Sequence, residues 1–202
     1  MSALTPAEVA LVRVSAALAS RNAVQVDEAL GQALAHADGD AVEEVILQSY
    51  LFLGYPAALN AFAQWRDLSG RPAAATTDSS DSWAERGEVV CRAVYGGQYE
   101  GLRANIGALH GDMERWMVVE GYGKVLGRPG LPLVMRELCI AALLTVQDVP
   151  RQLYSHLRGA LNVGASPDQV EETLAEALPL CSVGARARAG ETWAAVQSRP
   201  KG

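Results

Sequence analysis

Residues 132–146 read Pro-Leu-Val-Met-Arg-Glu-Leu-Cys-Ile-Ala-Ala-Leu-Leu-Thr-Val, nearly all apolar apart from Arg136 and Glu137 near the start. A helix that is apolar on every side has no face to offer water and must be surrounded by other elements. No segment of the chain approaches the roughly 18 uninterrupted apolar residues of a membrane span, so this run predicts a buried helix in a soluble protein. It is the middle one of three helical segments in 116–161. Arg128-Pro129-Gly130 breaks the chain before it and Gln147-Asp148-Val149-Pro150 after it. The third segment sets His156 beside a stripe of Leu153, Leu157, Ala160 and Leu161. An acid entering one buried helix and a histidine on the next are the best chemical candidates in the chain.

The surrounding composition agrees with helices. Half of the 202 residues are apolar, alanine and leucine dominate, and only 6% are aromatic, which favours helix over sheet. The net charge of −6 and the absence of a Lys/Arg run argue against nucleic acid as a partner. Cys91, Cys139 and Cys181 are odd in number, far apart and form no C-x-x-C. They predict neither a disulfide scaffold nor a zinc site nor a dithiol centre. With no leader pattern at the start, the expectation is a cytoplasmic protein without metal or membrane contact.

Helix starts are written locally. Thr5-Pro6-Ala7-Glu8 and Ser166-Pro167-Asp168-Gln169 are capping boxes with proline at the first helical position. Helices are expected over 6–20 and 25–37, then after Gly39-Asp40, which should end one helix and cap the next, and again from Pro56. Residues 71–82 are small and polar with no apolar face, as in a linker or surface loop. Further helices are expected over 83–94, 99–107, 111–126, 132–146, 150–163 and 167–178, with a last one carrying Ala185, Ala189 and Trp193. No stretch alternates as a strand would. The organisation predicted is a first, partial helical repeat over 1–70, a linker over 71–82, and a second domain over 83–202. The repeat rests on an ungapped offset of 128 that pairs Val42-Glu43-Glu44 with Val170-Glu171-Glu172, Ala57 with Ala185 and Trp65 with Trp193. At that offset Glu137 faces Val9 and His156 faces Glu28, so the candidate pair exists only in the second copy.

Several side chains could carry chemistry. His156 is either a hydrogen-bonded core histidine or a general acid or base. Glu137 either favours a helix N-terminus or orients His156. Arg128, Arg136 and Arg158 are candidate carboxylate clamps, because a guanidinium binds a carboxylate through two parallel bonds; each could equally form a salt bridge. His110 could cap the helix that follows it or line a pocket. Trp65, Trp116, Tyr122 and Trp193 read as core or subunit-contact aromatics.

Together, Gly121-Tyr-Gly-x-Val-x-x-Arg128-Pro-Gly-Leu131, Arg136-Glu-Leu138, His156-Leu-Arg-Gly-Ala-Leu161 and the Asn162-Val-Gly-Ala165 break resemble the carboxymuconolactone decarboxylase family. The likeness covers roughly 83–196, and residues 51–61 are also similar to that family's usual ending. It implies an all-α, alkylhydroperoxidase D-like helical bundle of two related units. It further implies a homo-oligomer (dimer, trimer or pseudo-hexamer) and a cofactor-free lyase of aromatic degradation. The substrate would be a small carboxylated lactone or related acid. Glu137 and His156 would be catalytic, and Arg128, Arg136, Arg158 and His110 would bind substrate. The wider superfamily includes thiol peroxidases reading Glu, eleven residues, Cys, two residues, Cys, three residues, His. Here Val149 and Gln152 hold the two cysteine positions, so peroxidase chemistry is not expected. A non-catalytic helical oligomer that binds a small molecule or a partner is the alternative.

Overall fold

The computed structural model describes residues 2–75 and 78–199, and these form helices and no strand. In chain order they are α1 (Pro6–Ser20), α2 (Ala23–His36), α3 (Gly39–Leu53), α4 (Tyr55–Ser69), α5 (Trp83–Tyr95), α6 (Tyr99–Gly107), α7 (Gly111–Trp116), α8 (Leu133–Gln147), α9 (Pro150–Asn162), α10 (Pro167–Ala177) and α11 (Val183–Gln197). Between α7 and α8 the chain continues as a π-helical segment, Met117–Leu126.

The apolar run becomes α8, in which every residue from Met135 to Thr145 is buried. α1 lies along it, and α9, α10 and α3 also pack against it. One continuous apolar cluster extends from Leu4 to Val196. Residues 1–70 and 83–202 therefore share a core instead of each enclosing its own. The local signals act as expected at most starts. Thr5 and Glu8 form a reciprocal capping box, as do Ser166 and Gln169. The cap of α3 is Asp38, which accepts from the Asp40 and Ala41 amides, and not Asp40. An Ncap side chain must precede the first helical residue, and Gly39 is already helical here.

Residues 71–82 are held at both ends. Arg71 pairs with Asp40 and with Glu43. Asp78 accepts from Trp83 Nε1 at 2.8 Å and from both terminal nitrogens of Arg86 at 2.9 and 2.8 Å. These donors hold the Asp78 carboxyl at about 2, well below the ordinary carboxylate value. Ser80–Ser82 is a turn of 3₁₀-helix leading into α5, and residues 76–77 of the expected linker lie outside the described residues.

The first four and last four helices recur at nearly constant spacing. α4 and α11 are 128 residues apart at both ends. The caps Asp38 and Ser166 are also 128 apart. α1 and α8 are instead 127 apart at both ends, as are Arg21 and Asp148. These two cap residues are the positive-φ non-glycine residues of the described chain, at 56° and 59°. Trp65 Nε1 donates to Glu43 and Trp193 Nε1 to Glu171, the same bond 128 residues apart. By helix bounds, then, Glu137 corresponds to Ala10 and His156 to Ala29. The residue lost or gained lies between the second and third helix of each set.

The π-helical segment replaces the second half of the regular helix expected over 111–126. It crosses α5 through two glycines. A Cβ on Gly123 would strike the Trp83 carbonyl, and one on Gly87 would strike the Val118 carbonyl. Arg86 Nε donates to the Gly123 carbonyl at 2.6 Å, so the crossing is bonded as well as close. Gly123→Ala should therefore lower stability by about 1–3 kcal/mol, since backbone must move to admit the methyl group. Gly121, two residues away, has open space around its Cβ position. Gly121→Ala should be neutral or stabilising by up to about 1 kcal/mol. Urea unfolding of the two variants separates close approach from helix propensity.

Candidate functional site

The α8–α9 pair is a helical hairpin turned by Asp148 and Val149, and it sets Glu137 beside His156. His156 Nδ1 lies 2.8 Å from Glu137 Oε2. Glu137 has no solvent exposure and His156 has 7%. The space for the carboxylate exists because residue 159 is glycine. A Cβ there would sit 2.7 Å from both Glu137 Oε2 and Val94 Cγ1. The imidazole ring meets the Phe52 ring edge-on at 5.7 Å between centroids. With the carboxylate ionised, Nδ1–H donates and the bond fixes that tautomer. Nε2 then becomes the acceptor, with no protein partner among the described residues.

His156 borders a cavity of about 940 Å³. Arg151, Gln152 and Ser155, also on α9, give it a polar wall. Leu51, Phe52, Leu102, Ile106, Met117 and Leu126 supply apolar walls. Tyr95 and Tyr122 also line it, joined by a 2.9 Å hydroxyl–hydroxyl bond in which Tyr122 donates. Burial raises both phenols above their ordinary value, and the nearby Glu137 charge adds to this. A second cavity, of about 620 Å³ between α1, α2 and α4, is lined by none of the candidate residues.

The candidate arginines do not border the His156 cavity. Arg136 is fully buried. Its Nη2 donates to Glu44 Oε2 at 2.7 Å and to the Arg128 and Pro129 carbonyls, while Nε donates to the Leu131 carbonyl. Arg128 pairs with the same Glu44 at 3.1 Å. The Arg-Pro-Gly-Leu stretch is thus a loop folded around a buried ion pair between α8 and α3. Arg158 stands two residues beyond His156, about 200° around the helix, and faces away. His110 is exposed and caps α7, its Nδ1 accepting from the Asp112 amide at 3.1 Å. Trp65, Trp193 and Tyr122 are core residues, and Tyr122 also lines the cavity, as does the half-exposed Trp116. Arg151 and Phe52 were not singled out from sequence. Arg151 is five positions from His156, about 140° around the helix, so spacing alone gave no signal for it. Phe52 lies 104 residues before His156 and left no local signal.

All three cysteines are buried and free. Burial pushes the Cys91 thiol up to about 12 and raises those of Cys139 and Cys181. The described residues contain no low-pKa thiolate beside Glu137.

Fold and site together define an all-helical protein of the alkylhydroperoxidase D-like kind, with a Glu–His pair and no cysteine pair. Residues 114–195, which hold both Glu137 and His156, match the model of the carboxymuconolactone decarboxylase family. The chain is also 29% identical over 135 residues to Peroxisomal protein 2 of Schizosaccharomyces pombe, across 64% of this chain and 63% of that protein. It thus spans less than two thirds of that relative's length.

The burial of the thiols makes a direct prediction. With a thiol-reactive dye at neutral pH, the folded protein should show no rapid phase, and three thiols should react once it is unfolded. A thiol reacting within seconds in the folded protein would contradict the packing described.

Proposed function

We propose that the chain is a cofactor-free, decarboxylase-like lyase that acts by acid–base chemistry on a carboxylated substrate. The observation that carries this reading is the buried Glu137–His156 bond, which leaves Nε2 as the ring nitrogen at the cavity. The carbon–carbon bond to the leaving carboxylate breaks, and carbon dioxide departs. The electron pair moves into a conjugated carbonyl of the substrate. The imidazolium Nε2–H then delivers its proton to carbon, and the ring regains a proton from solvent. His156 is the catalytic residue of this scheme. Glu137 is a positioning residue that holds the tautomer and stabilises the imidazolium.

The anionic end of the substrate is assigned to Arg151, the cation of the cavity wall, in place of Arg128, Arg136 and Arg158. Gln152 and Ser155 offer further polar contacts. The walls supplied by Leu51 and Phe52 motivate a role for the first four helices as part of the site. The recurring helix spacing and the paired Trp–Glu bonds support an origin of the chain by duplication. A homo-oligomer is part of the proposal, since Tyr55 and Leu59 on α4 are 62% and 63% exposed and a second copy would cover them. The non-catalytic alternative predicts a sealed centre, and the open cavity beside His156 weighs against it. The cytoplasm is the compartment proposed; the relative's name places that protein in the peroxisome, where localisation of this chain is the test.

His156→Ala should reduce turnover of the decarboxylated substrate by about 10²–10⁴-fold, the usual contribution of a general acid. Glu137→Gln keeps the shape but loses the charge. It should move the pH profile as well as the rate, because the imidazolium loses its counter-charge. Unchanged turnover in His156→Ala would remove the mechanism. A rate loss in Glu137→Gln with an unmoved pH profile would reduce Glu137 to a packing role.

A further inference from the structure

The cavity is larger and more apolar than a compact lactone acid requires. At about 940 Å³ it lies near the top of the roughly 300–1,000 Å³ range of pockets that enclose drug-sized ligands. Its polar groups are not dispersed. Arg151, Gln152, Ser155 and His156 all stand on α9, whereas α3 and α6 contribute Leu51, Phe52, Leu102 and Ile106. Glu120, the other charged lining residue, stands on the π-helical segment. The mouth is apolar as well: Leu109, Met113 and Trp116 line the cavity while remaining 83%, 54% and 48% exposed. Large apolar side chains gathered at an opening are surface that an apolar ligand would remove from water. Arg151 forms no ion pair among the described residues, although it also borders a shallow depression beside Glu191.

We infer that this site takes a carboxylate with an extended apolar body, of the fatty-acid class, its head at Arg151 and His156 and its chain against the α3, α6 and Trp116 walls. The position of the head rests on the acid–base reading above. The size and character of the body rest on the cavity alone.

Binding tests this without any turnover. The full chain is titrated with butanoate, octanoate and dodecanoate below micellar concentrations. Tryptophan fluorescence is the readout, and Trp116→Phe identifies the signal from the mouth. Affinity should rise by about a hundredfold or more from butanoate to dodecanoate, because each buried methylene adds several-fold. Arg151→Gln should weaken dodecanoate by about tenfold, as expected for loss of a charge-assisted bond, and leave dodecanol binding unchanged. Equal affinity across the chain lengths would overturn the inference. So would an Arg151→Gln variant that binds dodecanoate normally, or a Trp116 signal that answers only to protein concentration, which would make the mouth a subunit contact. The two readings fail separately. Dodecanoate binding as expected, with no carboxylate turned over, would sink the lyase reading and keep this one. A compact lactone acid turned over by His156, with no dependence on chain length, would do the reverse.

Discussion

A helix buried on every side cannot carry an unmatched charge, and α8 carries two at its start. Neighbours on a helix point about 100° apart and cannot satisfy one another, so Arg136 and Glu137 must find partners on different elements. Arg136 turns to Glu44 on α3 and to the carbonyls of residues 128, 129 and 131. Glu137 turns to His156 on α9. Losing one partner from such a buried pair costs about 3–5 kcal/mol, because the other charge is left without water or counter-ion. These two contacts thereby fix how α3, α8 and α9 sit around the core.

The two pairs have different consequences. The arginine is enclosed by its own loop and has no solvent exposure, so its bonds hold the fold together and leave nothing for a ligand. The glutamate satisfies one oxygen through Nδ1 and leaves Oε1 without a partner. The ring it holds borders the cavity through its other edge. A buried carboxylate can set a tautomer and stabilise a positive charge only where water does not screen it. The cavity is completed by residues of the first and the second half of the chain, with Phe52 from α3 against the imidazole. It therefore depends on the shared core and not on the family-matched segment 114–195 alone.

What the sequence revealed follows from the range of each interaction. Helices with strong local signals, such as the two capping boxes and the apolar run of α8, are found where expected. The Glu137–His156 pair was visible as two polar residues on adjacent apolar helices, nineteen positions apart. That the three arginines lie off the cavity could not be read locally, because the partner of two of them, Glu44, lies 84 to 92 residues earlier. The π-helical turn could not be read from propensity. It answers to a glycine crossing with α5, which only the tertiary structure reveals. Arg151, about 140° around α9 from His156, was no more legible from helical spacing than Arg158; it reaches the cavity only in the folded structure. The paired spacing of the helices was nearly legible too: the ungapped offset sets Glu137 against Val9 and His156 against Glu28, whereas the helix starts set them against Ala10 and Ala29.

The central claim is that Glu137 holds His156 by Nδ1 and leaves Nε2 as the working nitrogen. It is tested most directly by the ¹⁵N chemical shifts of the His156 imidazole in the folded protein at a pH where the ring is neutral. The account predicts a protonated Nδ1 and an unprotonated Nε2, with the preference lost in Glu137→Gln. A protonated Nε2, or a ring that exchanges freely between tautomers with Glu137 intact, would contradict it.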